Sequence, residues 1–415
     1  MHGGPGKFVF VILAVFFLLD IYVFRGLRAV TGNWNTTVKI IAGTLYWLVP
    51  VFMLFMTFFI MKNMGSISSG KVFYRTFYTF MGVMVLFYVP KIIFSVFELG
   101  NDLVNGFIFL INKFRVHSIE LNFQTLRYVG LTLSVLLFFF TTYGILHGRY
   151  HYKTNQISLK YANLPGNFNN FKIVQISDWH IGSYYNRPKR IEEAVNRINL
   201  LKPDLILFTG DFVNNLASEL EEFIPILTKL DAKYGKYSIL GNHDYGHYVQ
   251  WTNEYEKDKN LQKLKDLQKE AGFVLLNNDN TVIEINNEKI TLLGVENWGL
   301  PPFPQFGNLK KALNSVDSSS FKILLSHDPS HWNAEVKGAT NIDLTLSGHT
   351  HGMQFGVILK NFKWSPVKLK YPEWAGLYEY NNQKLYVNTG IGYIGFPGRV
   401  GVRPEIAVLN LLSDK

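Results

Sequence analysis

The stretch FKIVQISDWH (171–180) begins as a mostly apolar run and ends on Asp178 and His180, two residue types that bind metals. Short runs rich in β-branched and aromatic residues are typical of buried strands. The carboxyl ends of strands in an α/β sheet form the edge where ligands bind. A single D-x-H pair is a weak signal, so its meaning depends on the rest of the chain.

Four further short apolar runs are followed by polar residues of similar types. These residues are Asp211 after DLILF (204–208), Asn242, His243 and Asp244 after KYSIL (236–240), His327 after FKILL (321–325), and His349 and His351 after IDLTL (342–346). Helix candidates at 187–200, 217–230 and 254–271 alternate with the first of these runs. The alternation predicts an α/β domain whose central strands are buried. We therefore expect five strand ends to bring these side chains to one rim.

The residue types at this rim suit divalent metal ions. Imidazole, carboxylate and amide oxygen without thiolate favour Mn²⁺, with Fe and Zn²⁺ as alternatives, and the chain has no cysteine. On an extended segment, the spacing would place Asp178 and His180 on one side, and likewise His349 and His351. Each motif alone also fits a turn or a hydrogen-bonded histidine pair. All five in this order predict a metal site.

The charge of the chain is divided unevenly. A formal net charge of +10 would fit a nucleic-acid binder. Residues 1–150, however, hold 12 Lys and Arg against 4 Asp and Glu, a net charge of +8. Residues 151–415 therefore have a net charge of only +2. The excess lies between apolar runs, as in membrane proteins with basic loops. We therefore expect a membrane partner and no nucleic-acid partner.

Four apolar stretches before residue 150 have nearly the ~20 residues that a helix needs to cross a bilayer. They are 8–24, 38–61, 76–98 and 128–146. We predict a four-helix transmembrane domain over 1–150 and a second domain over 151–415. A cleaved signal peptide is the alternative for the first stretch, although no small-residue cleavage site ends it. The run 103–112 is too short to span and is expected at the membrane interface.

Asp20 and Lys91 interrupt the predicted spans. We expect Asp20 to lie near a helix end beside Arg25, and the long Lys91 side chain to reach the interface. Each side of the predicted topology carries seven Lys and Arg, so the positive-inside rule does not decide the orientation.

Taken together, the motifs DxH, GDxxx, GNHD, a later His and GHTH resemble the signature of the calcineurin-like metallophosphoesterases over about residues 155–415. HGMQ (351–354) and NTGIGYIGFPGRVGVRPEI (388–406) are similar to the membrane-attached bacterial branch, which includes UDP-diacylglucosamine pyrophosphatases. The resemblance implies a two-sheet β-sandwich flanked by helices. Trp179 departs from the usual smaller aliphatic residue, which affects packing.

The resemblance also implies a two-metal mechanism, in which a metal-bridging hydroxide attacks phosphorus in line and no covalent intermediate forms. The implied roles are a first metal on Asp178, His180 and His351, a second metal on Asn242, His327 and His349, Asp211 bridging both, His243 as general acid or phosphate stabiliser, and Asp244 orienting His243.

Two segments outside the motifs bear on the substrate. Arg399 and Arg403 are candidates for binding a phosphate, because a guanidinium binds it bidentately, and a purely structural role is the alternative. Residues 359–374 mix lysines with aromatic residues, which suits a membrane interface or an anionic headgroup. An ordinary hairpin with a solvated face fits this segment equally well.

The linker from 146 to 155 is short, so the second domain is expected to stay near the bilayer. The sequence predicts a membrane-anchored phosphohydrolase that cleaves a phosphoester or pyrophosphate bond in a lipid-linked substrate. The alternatives are a tethered phosphodiesterase for soluble nucleotides and a catalytically silent membrane scaffold. The cytoplasmic face of the inner membrane is expected, because the resembling pyrophosphatases work there.

Overall fold

The structure, a computed structural model, describes residues 5–67, 71–115, 124–360 and 362–414. These residues form two compact units, one within Met1–Ile67 and Arg75–Tyr143 and the other within Ser68–Tyr74 and Gly144–Lys415. We call them the membrane unit and the catalytic unit.

Four long helices precede the first strand, and each contains a segment long and apolar enough to cross a membrane. They are α1 (Pro5–Val30), α2 (Thr36–Ile67), α3 (Lys71–Asn112) and α4 (Thr125–Leu146). The prediction of four apolar helices is confirmed. The run 103–112, predicted as a separate interfacial segment, is instead the last part of α3.

A buried ion pair joins α1 to α3 inside the membrane unit. The carboxylate of Asp20 lies 2.6 Å from the ammonium of Lys91 and accepts a hydrogen bond from the hydroxyl of Tyr88 at 2.9 Å. The ammonium also lies 4.5 Å from the ring centroids of Tyr46 and Tyr88. The expectation that Asp20 lies near a helix end and that Lys91 reaches the interface is therefore wrong, since Asp20 lies inside α1 and Lys91 is buried against it. Two opposite charges in an apolar bundle cost less together than apart.

A second polar cluster ties α1 and α4 to α3. Arg127 donates two hydrogen bonds of 2.8 Å to the fully buried carboxylate of Glu98. Arg25 pairs with Asp102, which also accepts from the hydroxyl of Tyr22 at 2.9 Å. Bidentate guanidinium–carboxylate pairs fix geometry as well as charge, so these contacts define how the helices align.

The catalytic unit contains a sandwich of two six-stranded sheets among the described residues. The first has the order β1-β14-β2-β3-β4-β5 and the second β12-β13-β9-β8-β7-β6. The strands are β1 (Lys153–Tyr161), β2 (Phe171–Ile176), β3 (Leu205–Phe208), β4 (Lys236–Ser238), β5 (Phe273–Leu275), β6 (Asp279–Ile285), β7 (Glu288–Gly294), β8 (Phe321–Leu325), β9 (Leu344–Ser347), β10 (Val357–Ile358), β11 (Lys363–Trp364), β12 (Gly376–Tyr380), β13 (Gln383–Val387) and β14 (Glu405–Ser413). The expected two-sheet sandwich is confirmed.

Alternate residues of the central strands fill the space between the sheets, because strand side chains point to opposite faces in turn. Leu205 and Leu207 of β3 face Ile323 and Leu325 of β8 in one fully buried cluster. The strands β2, β3 and β4 run parallel, as do β7, β8 and β9. Trp179 is fully buried and stacks on Phe208. The core therefore accommodates a tryptophan at the position where a smaller aliphatic residue was expected.

Helices cover the outer faces of the sheets. They are α5 (Pro188–Leu200), α6 (Ser218–Glu221), α7 (Ile224–Leu227), α8 (Glu254–Glu270) and α9 (Leu309–Ala312). The helix predicted over 217–230 is two short helices, because Pro225 lacks the amide that a continuous helix would use. Asn253 caps α8 by accepting from the amide of Glu256 at 2.9 Å.

The buried pair in the membrane unit can be tested by removing one charge or both. We expect Asp20→Asn to lower the free energy of unfolding by about 3–5 kcal/mol, because it leaves Lys91 charged and buried. Adding Lys91→Met should restore most of the stability. Thermal unfolding of the purified protein in detergent measures both, with the exposed Arg28→Gln as control. A double variant as unstable as the single one would contradict the pairing.

Candidate metal centre

The five motifs meet at the carboxyl ends of strands from both sheets. Strands β2, β3 and β4 of the first sheet and β8 and β9 of the second each end just before a motif. Parallel strands present their carboxyl ends at the same edge. The structure therefore brings together all seven predicted ligands, which are Asp178, His180, Asp211, Asn242, His327, His349 and His351.

One group of ligand atoms lies between β2 and β9. Single ligand atoms of Asp178, His180 and His351 lie within 4.8 Å of one another. The Nε2 atoms of His180 and His351 are 3.1 Å apart, and Nε2 of His351 is 3.3 Å from Oδ1 of Asp178. All three residues are buried. Such convergence of nitrogen and carboxylate ligands suits a divalent cation.

A second group combines an amide oxygen with two imidazoles. Oδ1 of Asn242 lies 3.2 Å from Nε2 of His327 and 2.9 Å from Nδ1 of His349. The two ring nitrogens are 3.3 Å apart. Asp211 lies between the groups, with Oδ2 at 3.5 Å from Nε2 of His180 and 3.2 Å from Nε2 of His327. One carboxylate can therefore serve both positions.

Backbone carbonyls orient two of the histidine rings through their Nδ1 atoms. Nδ1 of His180 lies 3.2 Å from the carbonyl of Val213, and Nδ1 of His327 lies 2.7 Å from the carbonyl of Thr209. A carbonyl only accepts, so in each ring Nδ1 carries a proton and Nε2 is the atom that faces the cluster. Contacts of this kind orient histidine ligands in metal sites.

His349 is oriented from the opposite ring atom. Its Nε2 lies 2.9 Å from the hydroxyl of Tyr371, which donates to Oδ2 of Asp328 at 3.1 Å. The hydroxyl proton is thus used on Asp328, so the hydroxyl accepts from Nε2 and leaves the lone pair of Nδ1 free. The sequence analysis missed both residues. Asp328 directly follows His327, and Tyr371 lies in the basic and aromatic segment, so each stood beside a recognised feature.

The surroundings favour ionised carboxylates and, for most of the histidines, neutral imidazoles, which are the forms that bind metal ions. Burial opposes ionisation, but the facing imidazoles outweigh it and hold the pKa of Asp178 and Asp211 below the usual range. Burial lowers the pKa of His180 and lowers the pKa of His349 to about 4. Burial also acts on His327, but there the Asp211 carboxylate prevails and raises the pKa to about 10. A cation bound beside His327 would displace that proton.

The ligand residues have an unusual backbone conformation. Five of the seven have positive φ, with values of 52° at Asp178, 47° at His180, 63° at Asp211, 70° at His349 and 49° at His351. The expectation that each His pair or D-x-H pair lies on an extended segment is therefore wrong. The chain turns in the left-handed region after β2, β3 and β9, and these turns direct the side chains inward.

Two glycines allow the loops to approach the ligand carboxylates. A Cβ at Gly241 would overlap the carboxylate of Asp211, and one at Gly348 would overlap Asp178 and Ser177. The close approach lets the amide of His349 donate to both carboxylate oxygens of Asp178 at 3.0 Å. The amide of His243 likewise donates to Oδ1 of Asp211 at 2.8 Å.

His243 lies beside the ligands, with its ring 4.9 Å from that of His180. Its Nδ1 lies 2.8 Å from the carbonyl of Asn214, which therefore accepts and leaves Nε2 available. Glu219 holds this loop by accepting from the amides of Asn214 at 2.6 Å and Leu216 at 3.0 Å. Burial raises the pKa of Glu219 to about 7. The sequence analysis missed Asn214 and Glu219, since neither stands in a recognisable motif.

Asp244 has a different contact from the one expected. Its carboxylate accepts from the backbone amides of Asp211, Phe212 and Gly241 at 2.9 Å each, and from Val213 at 3.3 Å. The orientation of the His243 ring falls to Asn214 instead. Burial raises the pKa of Asp244 to about 7, and the amides oppose this rise. We therefore assign Asp244 to joining the loops after β3 and β4.

Arg399 contacts a ligand from behind and does not reach an open surface. It is only 2% exposed and donates to the carbonyls of Gly392 at 2.7 Å and Thr389 at 2.9 Å. Its Nη2 also lies 3.2 Å from Nδ1 of His351. A guanidinium only donates, so Nδ1 of His351 accepts, and a metal ion on Nε2 would have to displace the proton at that atom. Arg399 thus positions His351, contrary to the expected direct contact with a substrate phosphate.

Arg403 lies in a separate cleft. Its guanidinium donates to the carbonyls of His151 at 3.0 Å and Tyr152 at 3.1 Å. The cleft has a volume of about 560 Å³, and none of the seven predicted ligands lines it. The structure therefore does not place Arg403 beside the predicted ligands, where it was expected to bind the substrate phosphate.

Comparison with known proteins matches two family profiles to this chain. A family profile described as calcineurin-like phosphoesterase matches residues 171–353, and one described as a probable calcineurin-like phosphoesterase transmembrane domain matches residues 6–149.

Three relatives show how far the similarity extends. The metallophosphoesterase YkuE of Bacillus subtilis is 33% identical over 63% of this chain and 86% of its own. The metallophosphoesterase Cj0846 of Campylobacter jejuni is 26% identical over 98% of this chain and 99% of its own. A transmembrane protein with metallophosphoesterase domain of Danio rerio is 28% identical over 65% of this chain and 59% of its own.

The metal assignment can be tested by counting bound ions. We expect the purified protein, dialysed against Mn²⁺, to retain roughly two ions per chain. His351→Ala should lose one of them and Asp211→Ala both, because Asp211 serves both groups. Elemental analysis by mass spectrometry measures the content, and the exposed Asp266→Ala is the matched control. Equal metal content in all of these variants would contradict the assignment.

Proposed function

Because the chain belongs to the calcineurin-like metallophosphoesterases, a family of metal-dependent phosphoester hydrolases, we propose that it cleaves a phosphoester or pyrophosphate bond in a lipid-linked substrate. The observation that carries the hydrolytic part is the meeting of seven ligand side chains and His243 at one rim of the sandwich. The residues present fit divalent cations, since carboxylate, amide and imidazole groups converge and the donor set lacks thiolate.

The proposed chemistry assigns each residue a task. Two bound divalent ions would supply the Lewis acidity that activates water and neutralises phosphoryl charge. The ligand residues would hold the two ions in place. Asp244 keeps the loops after β3 and β4 together by accepting from the amides of Asp211 and Gly241. His243 would bind a phosphoryl oxygen or protonate the leaving group through Nε2. The negative charge of a bound phosphate would favour the protonated ring, against the effect of burial, which lowers the pKa of His243.

The lipid-linked part of the proposal rests on the tether. α4 ends at Leu146 and β1 begins at Lys153, so six residues separate a membrane-spanning helix from the first strand. Six residues reach at most about 20 Å. An enzyme held this close to a bilayer meets substrates embedded in it at high local concentration. A soluble nucleotide diester is the alternative substrate, and the comparison below separates the two.

The turnover experiment uses purified full-length protein with Mn²⁺. We expect hydrolysis of a nucleotide-linked diacyl-sugar pyrophosphate, read by mass spectrometry, to exceed that of cyclic nucleotides. His243→Ala should reduce turnover about 10²–10⁴-fold, the usual contribution of a proton-transfer group. Asn242→Ala and His349→Ala should reduce it severely while the melting temperature stays close to that of the unaltered chain.

Asn333→Ala is the matched control, since Asn333 is an exposed asparagine that donates to Glu373. If Asn242→Ala and His349→Ala turned over substrate at the unaltered rate, the metal mechanism would be wrong. Hydrolysis confined to cyclic nucleotides would reject the lipid-linked substrate and keep the hydrolytic mechanism.

We also propose that the catalytic unit lies on the cytoplasmic face of the inner membrane. The support is the resemblance of its motifs to pyrophosphatases that work there. The chain has no cysteine, so a single Leu200→Cys, at a side chain that is 80% exposed, reports the side directly. We expect a membrane-impermeant maleimide to label it in lysed cells only. Labelling in intact spheroplasts would place the unit on the opposite face.

A further inference from the structure

A patch of exposed apolar side chains surrounds the hairpin of β10 and β11. Between residues 151 and 414, the described part of the chain has 16 large hydrophobic side chains that are exposed, and seven of them lie within 353–369. Leu359 is 65% exposed and Leu369 is 91% exposed. We call this set the hairpin patch. Its members are Met353, Val357, Ile358, Leu359, Phe362, Trp364 and Leu369.

The exposed hydrophobic side chains of the hairpin patch are grouped too closely to be the scattered ones that most protein surfaces carry. Isolated exposed hydrophobic residues are normal on soluble proteins, but contiguous ones mark contact with another apolar phase. The hairpin is anchored firmly, because Lys363 donates to the hydroxyl of Tyr378 at 3.0 Å and Ser365 donates to the carbonyl of Gly352 at 2.8 Å. The exposed side chains are therefore held outward by an ordered base.

Basic side chains accompany the patch. Lys360 and Lys368 are exposed beside it. The cleft of about 560 Å³ next to the hairpin is lined by the basic residues Lys153, Lys360, Lys363 and Arg403. The acidic residue that lines it, Glu405, is buried and is occupied by hydrogen bonds from Asn155, Tyr386 and Thr389. The face therefore combines apolar tips with a positive cleft.

Two consecutive residues of the catalytic unit link the base of the hairpin to Gly144 of the same unit. The amide of Gly356 donates to the carbonyl of Val400 at 3.0 Å. The amide of the preceding residue, Arg399, donates to the carbonyl of Gly144 at 3.1 Å. Gly144 is the first residue of the catalytic unit after Tyr143. The hairpin base is thus tied to the beginning of that unit.

We propose that the hairpin patch inserts into the interface of an anionic lipid bilayer, with the basic cleft receiving a lipid headgroup phosphate. Tryptophan and phenylalanine side chains favour the headgroup region, and each lysine near an anionic surface adds attraction. This membrane docking is separate from the four spanning helices. It fixes the face that the catalytic unit turns toward the bilayer, and it does not depend on the proposed reaction.

The experiment measures the depth of a label in the full-length protein. The chain has no cysteine, so Leu359→Cys can carry one nitrobenzoxadiazole fluorophore. The protein is placed in nanodiscs of phosphatidylcholine with or without phosphatidylglycerol. We expect blue-shifted emission that lipids with a doxyl group on the acyl chain quench, and stronger quenching when phosphatidylglycerol is present. Lys360→Gln with Lys368→Gln should remove this dependence on phosphatidylglycerol.

Leu200→Cys is the control, because Leu200 is 80% exposed at the end of α5 and far from the hairpin in sequence. Its label should emit as in water and resist the doxyl lipids. The proposal is overturned if the label at 359 behaves like the label at 200. A blue shift without quenching by doxyl lipids would assign the patch to a protein partner and would also overturn it. The readout requires no turnover, so its failure is distinguishable from failure of the proposed reaction.

Discussion

The carboxylate of Asp244 is the contact on which the metal centre depends. It accepts four backbone amides from two loops, those that carry Asp211 and Asn242. In return, the amide of His243 donates to Asp211. Because the two loops leave neighbouring parallel strands, this reciprocal contact fixes the spacing of ligands that would otherwise sit on independent flexible turns. A buried carboxylate that satisfies four amides also removes four polar groups that would be costly to leave unpaired.

The two units use buried charge in different ways. In the membrane unit, Asp20 with Lys91 and Glu98 with Arg127 are complete pairs, so each charge is neutralised within the protein. In the catalytic unit, carboxylates and imidazoles converge without a full set of partners, an arrangement that cations would complete. Complete pairs define how helices align, whereas an incomplete set of charges is suited to binding.

The sequence predicted which side chains meet at one rim because each one follows an apolar run, and strand ends in an α/β sheet share one edge. It also predicted the apolar helices, whose length is set by bilayer thickness. Contacts between distant segments could not be derived in this way. The partner of Lys91 lies 71 residues away, and that of Arg399 lies 48 residues away. The edge strand β1 has a weak apolar pattern because it is only partly buried, and β14 was not among the predicted runs although it is largely buried between β1 and β2.

The left-handed backbone at five ligand residues limits how the centre can change. Such a conformation costs about 1–2 kcal/mol for a residue with a Cβ. Glycine would relieve the strain at Asp178 or His349, but it would remove the ligand. A different ligand side chain would keep the strain and alter the coordination. Each of these positions therefore has two requirements that no single substitution satisfies together. Substitutions in related sequences should be concentrated in the loops around the centre, where a residue has to satisfy only one of the two requirements, the backbone conformation or the side-chain chemistry.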